Sequence, residues 1–487
     1  MALQDGNIAS GIQISNEDQE SDEAWLIKWI TSNADPPPSS TRRIPRLPTM
    51  VRETRDYYAP EVVSIGPYHA ADIPKLKFIE NLKPGFTKKL LSPNWETQVS
   101  SLYKKLGEPT MVKRFRNFYE EKSTDGLSDK VFTKMMILDG CFILYYIQSI
   151  YGGEVETCEL NSHQIVFVHQ DLFLLENQIP FQVLTEVMNL VKINRRKKIK
   201  DFIYDNFLAS VRPKRGWFCA GTGHIQEAQT SGAGHNQGDF NFTVDHLLQF
   251  LHHTLTGEDL YSNVSKKPHL VQTTNSNTIN KKDLHRCTFR NVNELIDVGI
   301  NFKPSSIMGL TQIGFSKRWW LFSADVELPP ITVDDSTKSM VLNLITHEMC
   351  SADGHEAWVT SYICLLDSLI DHPEDVKALR KAGVLDNSLG SDKEVAKLFN
   401  EIGTDLVPNI AAYAEAKNKI QKHYGSLRNT RLSELKHEYI KSPWAFLALV
   451  GAVMALVLSG VQTYFTAWTP KSQCDDLCMF LKMNHHL

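Results

Sequence analysis

The feature that most constrains the fold of this chain is a long uncharged segment near its C-terminus. Residues 442–470 contain no acidic or basic side chain, and residues 444–461 read WAFLALVGAVMALVLSGV. A helix over 443–465 would be about 34 Å long, which is enough to cross the hydrocarbon core of a bilayer. The alternative is a buried core helix, but such helices seldom stay apolar on every side over this length. We therefore predict one transmembrane helix at 443–465.

Two sets of side chains in this segment suggest how the helix sits and what it contacts. Trp444, Tyr464 and Trp468 lie near its ends, where aromatic side chains favour the membrane–water interface. Small side chains recur every three or four residues, on one face along which membrane helices approach each other closely. This small-residue stripe consists of Ala445, Ala448, Ala452, Ala455 and Ser459. The stripe indicates self-association or a helical partner, although alanine is also common in membrane helices that make no such contact.

The charges on either side of the segment predict its orientation. The flanking basic residues are Arg428, Arg431, Lys436 and Lys441 before the segment, and Lys471 and Lys482 after it. Because the more basic flank stays in the cytosol, we expect the long N-terminal part to be cytosolic. The first residues show no basic region followed by an apolar one, so we expect no cleaved secretory signal. These features predict a tail-anchored, single-pass protein of the plasma membrane or an endomembrane.

Composition divides the rest of the chain into a tail, a body and an insert. Residues 1–40 form an acidic tail that we expect to be disordered, since residues 1–35 hold seven acidic side chains and one lysine. Residues 41–441 are predicted to form one body. Within it, 213–286 is rich in Gly, Ser, Thr, Gln and Asn and is predicted to be a loop-rich insert around one short helix. Residues 466–487 form a short tail after the membrane helix.

The periodicity of apolar residues predicts a mainly α-helical body with a few short β-strands. Apolar side chains recur at helical spacing in many segments, such as Val395, Leu398, Phe399 and Ile402. The β signal is weaker. Residues 300–303 alternate apolar and polar side chains, and 319–333 is predicted to form a small hairpin that Pro329 and Pro330 restrict to a sheet edge.

We find no catalytic, cofactor-binding or metal-binding motif, so we predict that the chain is not an enzyme and has no cofactor. His347 and Glu348 begin like a zinc-protease helix, but Ser351 occupies the second histidine position. A surface or capping role is the simpler expectation for His347 and for His355. Glu176, Asn177 and Gln178 lie between two apolar runs and need partners if they are buried. We interpret them as a capped turn between helices, with a functional polar site as the alternative.

Charge and cysteine content bear on partners and compartment. With 42% hydrophobic and 22% charged residues and a net charge of −4, the chain is globular and has no basic field for nucleic acid. We therefore predict no nucleic-acid partner. Eight sparse cysteines suit reduced thiols rather than a disulfide framework. Cys474 and Cys478 could form a disulfide, remain free or carry a lipid, and the sequence leaves all three open.

Several segments together resemble the plant domain-of-unknown-function 247 family, from about residue 43 to residue 468. The middle region, 213–286, shows little resemblance, and Phe78-Ile79-Glu80 departs from the family's methionine-and-glutamate motif. The matching segments are IPRLPTMVRETRDYYAPEVVSIGPYH (44–69), LDGCFIL (138–144), DLFLLENQIPF (171–181), ELIDVGINFK (294–303), NLITHEMC (343–350), EDVKALRKAGVLDNSLGSDKEVAKLFN (374–400) and EYIKSPWA (438–445).

The resemblance implies a plant protein without an established activity or known catalytic residues, so no site residue is carried over. Some grass members of the family are linked to self-incompatibility loci as pollen-side determinants. Our leading hypothesis is a membrane-anchored protein that acts in recognition or signalling through protein partners, with self-incompatibility as a narrower version. For that version we expect allelic differences in 213–242 and 262–286. The alternatives are an adaptor on an internal membrane and an enzyme whose site includes Glu176.

Overall fold

The structure is a computed structural model whose described residues form one continuous hydrophobic core and an apolar helix near the C-terminus. The predicted acidic tail over 1–40 lies outside these residues, as does most of the predicted insert over 213–286. The proposed boundaries at 41 and 441 also lie outside them, and these two boundaries and the one at 466 stay predictions. The described residues are 44–70, 73–151, 160–191, 199–203, 244–257, 290–305, 309–318, 323–351, 357–409, 411–425, 443–468 and 473–483.

Helices make up most of the described chain, which confirms the predicted fold class. The α-helices are α1 (Lys77–Leu90), α2 (Trp95–Leu106), α3 (Pro109–Arg116), α4 (Asp129–Tyr151), α5 (Ser162–Asp171), α6 (Phe181–Val191), α7 (Leu247–Thr256), α8 (Val292–Asp297), α9 (Thr337–Cys350), α10 (Trp358–Leu369), α11 (Pro373–Lys381), α12 (Asp392–Gly403), α13 (Ala414–Tyr424), α14 (Pro443–Ala467) and α15 (Gln473–Met483). Short 3₁₀ helices occupy Thr49–Tyr57 and Pro74–Leu76.

Five short strands form two small sheets. The strands are β1 (Ile300–Pro304), β2 (Gly314–Arg318), β3 (Ser323–Leu328), β4 (Ile331–Val333) and β5 (Leu385–Asn387). β3 is the centre of the first sheet, pairing in parallel with β1 and antiparallel with β2. β4 and β5 pair in parallel in the second.

The predicted hairpin exists, but it begins earlier than the predicted range of 319–333. β2 and β3 pair from Gly314 with Glu327 to Arg318 with Ser323. Pro329 and Pro330 follow β3 directly, and because proline lacks an N–H group they interrupt the strand. The expected restriction to a sheet edge is wrong for β3, which is the central strand of its sheet. The residues after them belong to β4 in the other sheet.

The central helix of the body is α4, which contacts α1, α2, α3 and α6. Its Phe132, Met136 and Phe142 side chains are fully buried. Local sequence signals act as expected elsewhere in the body. α12 begins where the Ser391 hydroxyl accepts the Glu394 N–H at 3.2 Å, and Val395 and Phe399 on its apolar face are fully buried.

Two described helices are long and apolar enough to cross a membrane, by length and composition alone. In α4 the apolar stretch is Asp129–Ile150, and 67% of it is buried in the body. In α14 the apolar stretch is Val450–Ala467, and none of it is buried. α14 matches the predicted span of 443–465 and extends slightly further, to Ala467. One C-terminal helix of this chain could therefore cross a membrane.

Candidate functional site

The body contains a group of buried polar side chains that we call the polar centre: Asp171, Asn177 and Gln178, with Lys83 and Asp139 beside them. The polar centre joins residues 61–66 to the turn that follows α5. The Asp171 carboxylate is fully buried and accepts the backbone N–H groups of Glu61, Val62 and Val63 at 2.8–3.1 Å. Burial raises the pKa of Asp171 to about 7, and these three N–H groups act in the opposite direction. One side chain thus fixes the path of a segment more than 100 residues away in sequence.

Two buried amides continue this junction. Asn177 accepts the Ile65 N–H at 2.6 Å and donates to the Val63 and Asp171 carbonyl oxygens. Gln178 donates to the carbonyl oxygens of the preceding turn and accepts the Leu248 N–H of α7 at 3.1 Å. The predicted need for partners is therefore met inside the body. α7, the short helix expected within the insert, is anchored at the same point.

A buried ion pair lies beside the junction. Lys83 is 2% exposed, and its ammonium donates to Asp139 and to the Ser64 carbonyl oxygen, each at 2.6 Å, and to Glu80. Burial alone would lower the pKa of Lys83, but Asp139 and Glu80 raise it above its ordinary value. Asp139 also accepts the Gly66 N–H at 2.8 Å. Gly66 has a φ of +75°, and a Cβ there would collide with the Gln178 carbonyl oxygen.

Two cavities open on either side of His69. The first, which we call the Arg46 cavity, has a volume of about 480 Å³. The second has a volume of about 720 Å³ and lies between α1 and α4 over the Lys83 ion pair. The Arg46 cavity is lined by Arg46, Leu47, Pro48, Thr49, Tyr58, Ala59, Tyr68, His69, Glu120 and Glu176.

The Arg46 cavity combines a fixed aromatic ring, a guanidinium and a nearly buried carboxylate. The Tyr68 hydroxyl donates to the Ile44 carbonyl oxygen and accepts the Glu120 N–H, both at 2.9 Å. Burial raises the pKa of Tyr68 to about 12, so its hydroxyl stays protonated. The Arg46 guanidinium carbon lies 4.4 Å from the centre of the Tyr68 ring. Glu176, which we predicted as part of a polar turn, also faces this cavity.

A cluster of histidines lies where α7 meets α9. The His347 ring centre is 5.1 Å from that of His246 and 5.6 Å from that of His252. His252 contacts Glu348 at 2.8 Å. Burial lowers the pKa of His347 well below its ordinary value, and the neighbouring histidines lower it further. The expected surface role for His347 is therefore wrong, because its ring packs against two other histidines, while His355 lies outside the described residues.

This histidine cluster is not a candidate metal site. In the part of the chain that the structure describes, no group of three or more His, Cys, Asp or Glu side chains is arranged to hold a metal ion. The predicted absence of metal and cofactor stays a prediction.

The side chains predicted to meet a membrane all lie on α14 or just after it. Trp444 and Tyr464 are 81% and 59% exposed at opposite ends, and Trp468 follows α14 with its ring stacked on Tyr464 at 6.0 Å. In the small-residue stripe, Ala448, Ala452, Ala455 and Ser459 are exposed, and Ala445 lies on the first turn. The roles of these side chains stay predictions.

The cysteines of the C-terminal tail lie on a helix. α15 spans Gln473–Met483, so Cys474 and Cys478 are one turn apart. Cys478 is exposed and has no disulfide. Exposed Met479, Phe480 and Met483 follow on the same helix.

The charged part of the polar centre is not predicted by the sequence. Asp139 had a usable signal, because it is a lone carboxylate within an apolar stretch of α4. Lys83 had none, since α1 carries other lysines on its exposed side. Arg46 and His69 lie in a segment that carries the family resemblance, but no local pattern places them beside Glu176.

These features define a class of protein: a mainly helical body, organised around buried polar contacts, followed by an apolar helix that could cross a membrane. The chain belongs to the plant domain-of-unknown-function 247 family, described as "Plant protein of unknown function", and the match covers residues 44–458. This confirms the family resemblance. The matched range includes the polar centre and most of α14.

Two curated relatives come from Arabidopsis thaliana. The UPF0481 protein At3g47200 is 24% identical over 419 residues, covering 83% of this chain and 82% of the relative. The putative UPF0481 protein At3g02645 is 21% identical over 475 residues, covering 84% and 87%. No solved structure matches the chain.

Proposed function

We propose that this protein is held in a membrane by α14 as a single span, with its body in the cytosol, and acts in recognition or signalling by binding protein partners. The main support for the membrane anchor is that α14 is apolar on all sides and exposed. The similarly apolar α4, in contrast, is mostly buried by the rest of the body. Leu456, Val457 and Leu458 are 74%, 60% and 65% exposed on consecutive positions. An apolar surface of this extent marks a contact with lipid or protein.

The orientation rests on the same basic residues that flank the segment in the sequence. The flank before α14 carries four and the flank after it two, counted from residue 428 to residue 482. The small-residue stripe offers a face for close approach by a second copy of α14 or by another membrane helix. In this proposal the body contributes binding surfaces and has no catalytic activity of its own.

The anchor is tested by placing charge in the centre of α14. We expect the double variant Val453→Arg with Leu456→Arg to leave the membrane fraction, because each arginine costs about 2.5–3.5 kcal/mol at the centre of a membrane helix. The measurement is resistance to alkaline extraction from plant-cell membranes. The control is Val407→Arg, a body position that is 84% exposed. Full membrane retention of the double variant would contradict the anchor.

Self-incompatibility is the narrower version of this proposal. It has its own test, because allelic differences should then concentrate in 213–242 and 262–286. Differences confined to buried helix faces of the body would contradict it. An adaptor on an internal membrane is the alternative to recognition at the cell surface. Imaging of the full chain in plant cells distinguishes the two, because it shows which membrane holds the protein.

One observation favours an enzyme as a second candidate: His69 and Glu176 share a cavity, with 3.6 Å between the His69 Nε2 and Glu176 Oε2 atoms. A histidine beside a carboxylate can exchange protons with a bound molecule. Turnover that is abolished by His69→Gln would support this candidate over the binding role.

A further inference from the structure

The Arg46 cavity has the size and the polarity of a small-ligand site. Its volume of about 480 Å³ falls within the range of roughly 300–1,000 Å³ that is typical of such sites. Leu47, Pro48 and Ala59 contribute apolar surface, and the charged side chains among the described lining residues are Arg46, Glu120 and Glu176. What the cavity accepts therefore depends on how these charges are satisfied in the folded chain.

The Glu176 carboxylate has one oxygen with a hydrogen-bond donor and one that has no counter-charge among the described residues. Its side chain is 14% exposed, and Oε1 accepts the Leu47 N–H at 2.8 Å. Oε2 lies 3.6 Å from His69 Nε2, which is too long for a hydrogen bond. Burial lowers the pKa of His69, although Glu176 acts to raise it, so the imidazole is neutral at pH 7. A nearly buried carboxylate in this position is suited to receive a cationic hydrogen-bond donor.

The Arg46 guanidinium presents the opposite chemistry at the same cavity. Its central carbon lies 4.4 Å from the centre of the Tyr68 ring, and two hydrogen bonds fix the Tyr68 hydroxyl. Among the described residues, no carboxylate forms an ion pair with Arg46. A guanidinium held on an aromatic ring keeps its N–H groups available for a planar carboxylate, which it can bind through two parallel hydrogen bonds.

The combination of charges selects a ligand class. Glu120 and Glu176 would repel a phosphate or another multiply charged anion, and a simple cation would leave the Arg46 guanidinium without a counter-ion. A molecule that carries an ammonium and a carboxylate satisfies both sides. We infer that the Arg46 cavity binds a free α-amino acid, with its ammonium at Glu176 and its carboxylate at Arg46. Leu47, Pro48 and Ala59 then supply an apolar wall for the side chain of the ligand.

The test is a binding titration on the full chain in detergent micelles. L-amino acids with small, aliphatic, aromatic and charged side chains are titrated singly by calorimetry, together with their N-acetyl and carboxamide derivatives. We expect saturable binding of at least one free amino acid. Each blocked derivative should bind about tenfold more weakly or worse, because it loses one charge-assisted contact.

Two variants locate the binding within the cavity. Glu176→Gln keeps an oxygen for the Leu47 N–H, and Arg46→Gln changes an exposed side chain, so both should fold. Each should weaken binding about tenfold or more. The matched controls are Glu61→Gln and Arg114→Gln, whose side chains do not line the cavity; these should bind as the parent does.

The inference is overturned if no amino acid binds, if the N-acetyl derivative binds as tightly as the free amino acid, or if binding is unchanged in both cavity variants. Equal binding of acetate would also overturn it, because an anion site alone would then account for the data. The inference is independent of the membrane proposal, since binding in micelles is measured whatever the orientation of α14.

Discussion

Replacing Lys83 with methionine is expected to destabilise the body by about 3–5 kcal/mol, which is typical of a buried ion pair that loses one partner. The side chain is 2% exposed, and its ammonium neutralises Asp139, which is equally buried. In Lys83→Met, Asp139 keeps only the Gly66 N–H and remains as an unpaired buried charge. The measurement is the urea midpoint of the full chain in micelles, followed by tryptophan fluorescence.

A second substitution shows whether the unpaired charge causes this loss. Asp139→Asn in the Lys83→Met background removes the charge and keeps an oxygen for the Gly66 N–H. We therefore expect the double variant to be more stable than Lys83→Met alone. Lys75→Met is the matched control, because Lys75 pairs with Glu61 at 3.2 Å on the surface with 47% and 41% of the two side chains exposed. Its expected cost is about 0–1 kcal/mol. Equal losses for Lys75→Met and Lys83→Met would contradict the buried-pair account.

The second large effect is expected for Asp171→Ala. The variant leaves the N–H groups of Glu61, Val62 and Val63 without their acceptor, and Val63 is completely buried. An unsatisfied buried donor costs about 1–3 kcal/mol, and water can reach the less buried two, so we expect a loss of about 2–4 kcal/mol. The urea midpoint of the full chain is again the measurement.

The Asp171 prediction has its own controls. Asp171→Asn keeps one acceptor oxygen but turns an amide N–H₂ toward a backbone donor, so it should fall between the parent and Asp171→Ala. Asp386→Ala removes an exposed carboxylate from β5, and it should change stability by less than about 0.5 kcal/mol. If Asp171→Ala were as stable as Asp386→Ala, the segment at 61–66 would have to be held by other contacts.

The helices of this chain follow from local signals, and the sequence predicts them for that reason. Ser391 starts α12, and the apolar face from Val395 to Ile402 is buried as its spacing requires. α14 is set by its composition, which is why its bounds agree closely with the predicted span. The strands depend on pairing between distant segments. The parallel pair β4 and β5 has only three residues in each strand and could not be recognised from alternation.

The contacts of the polar centre cannot be predicted from local sequence patterns. Glu176, Asn177 and Gln178 were recognised as residues that need partners, because amides and a carboxylate lie between apolar runs. Two of their partners, Leu47 and Ile65, belong to a segment more than 100 residues earlier. No periodicity within either segment encodes this contact. For the same reason, the pairing of Lys83 with Asp139 and the meeting of Arg46 with Glu176 require the folded chain.

The central claim is that α14 holds the body at a membrane with the body in the cytosol. The most direct test is the topology of the full chain in plant cells, with a glycosylation reporter at either end and protease protection on intact membranes. The account predicts that only the C-terminal reporter is modified and that the body is digested. Modification of the N-terminal reporter would contradict the orientation. Asn241 and Asn263, which lie in N-x-[ST] triplets, would then be candidate glycan sites.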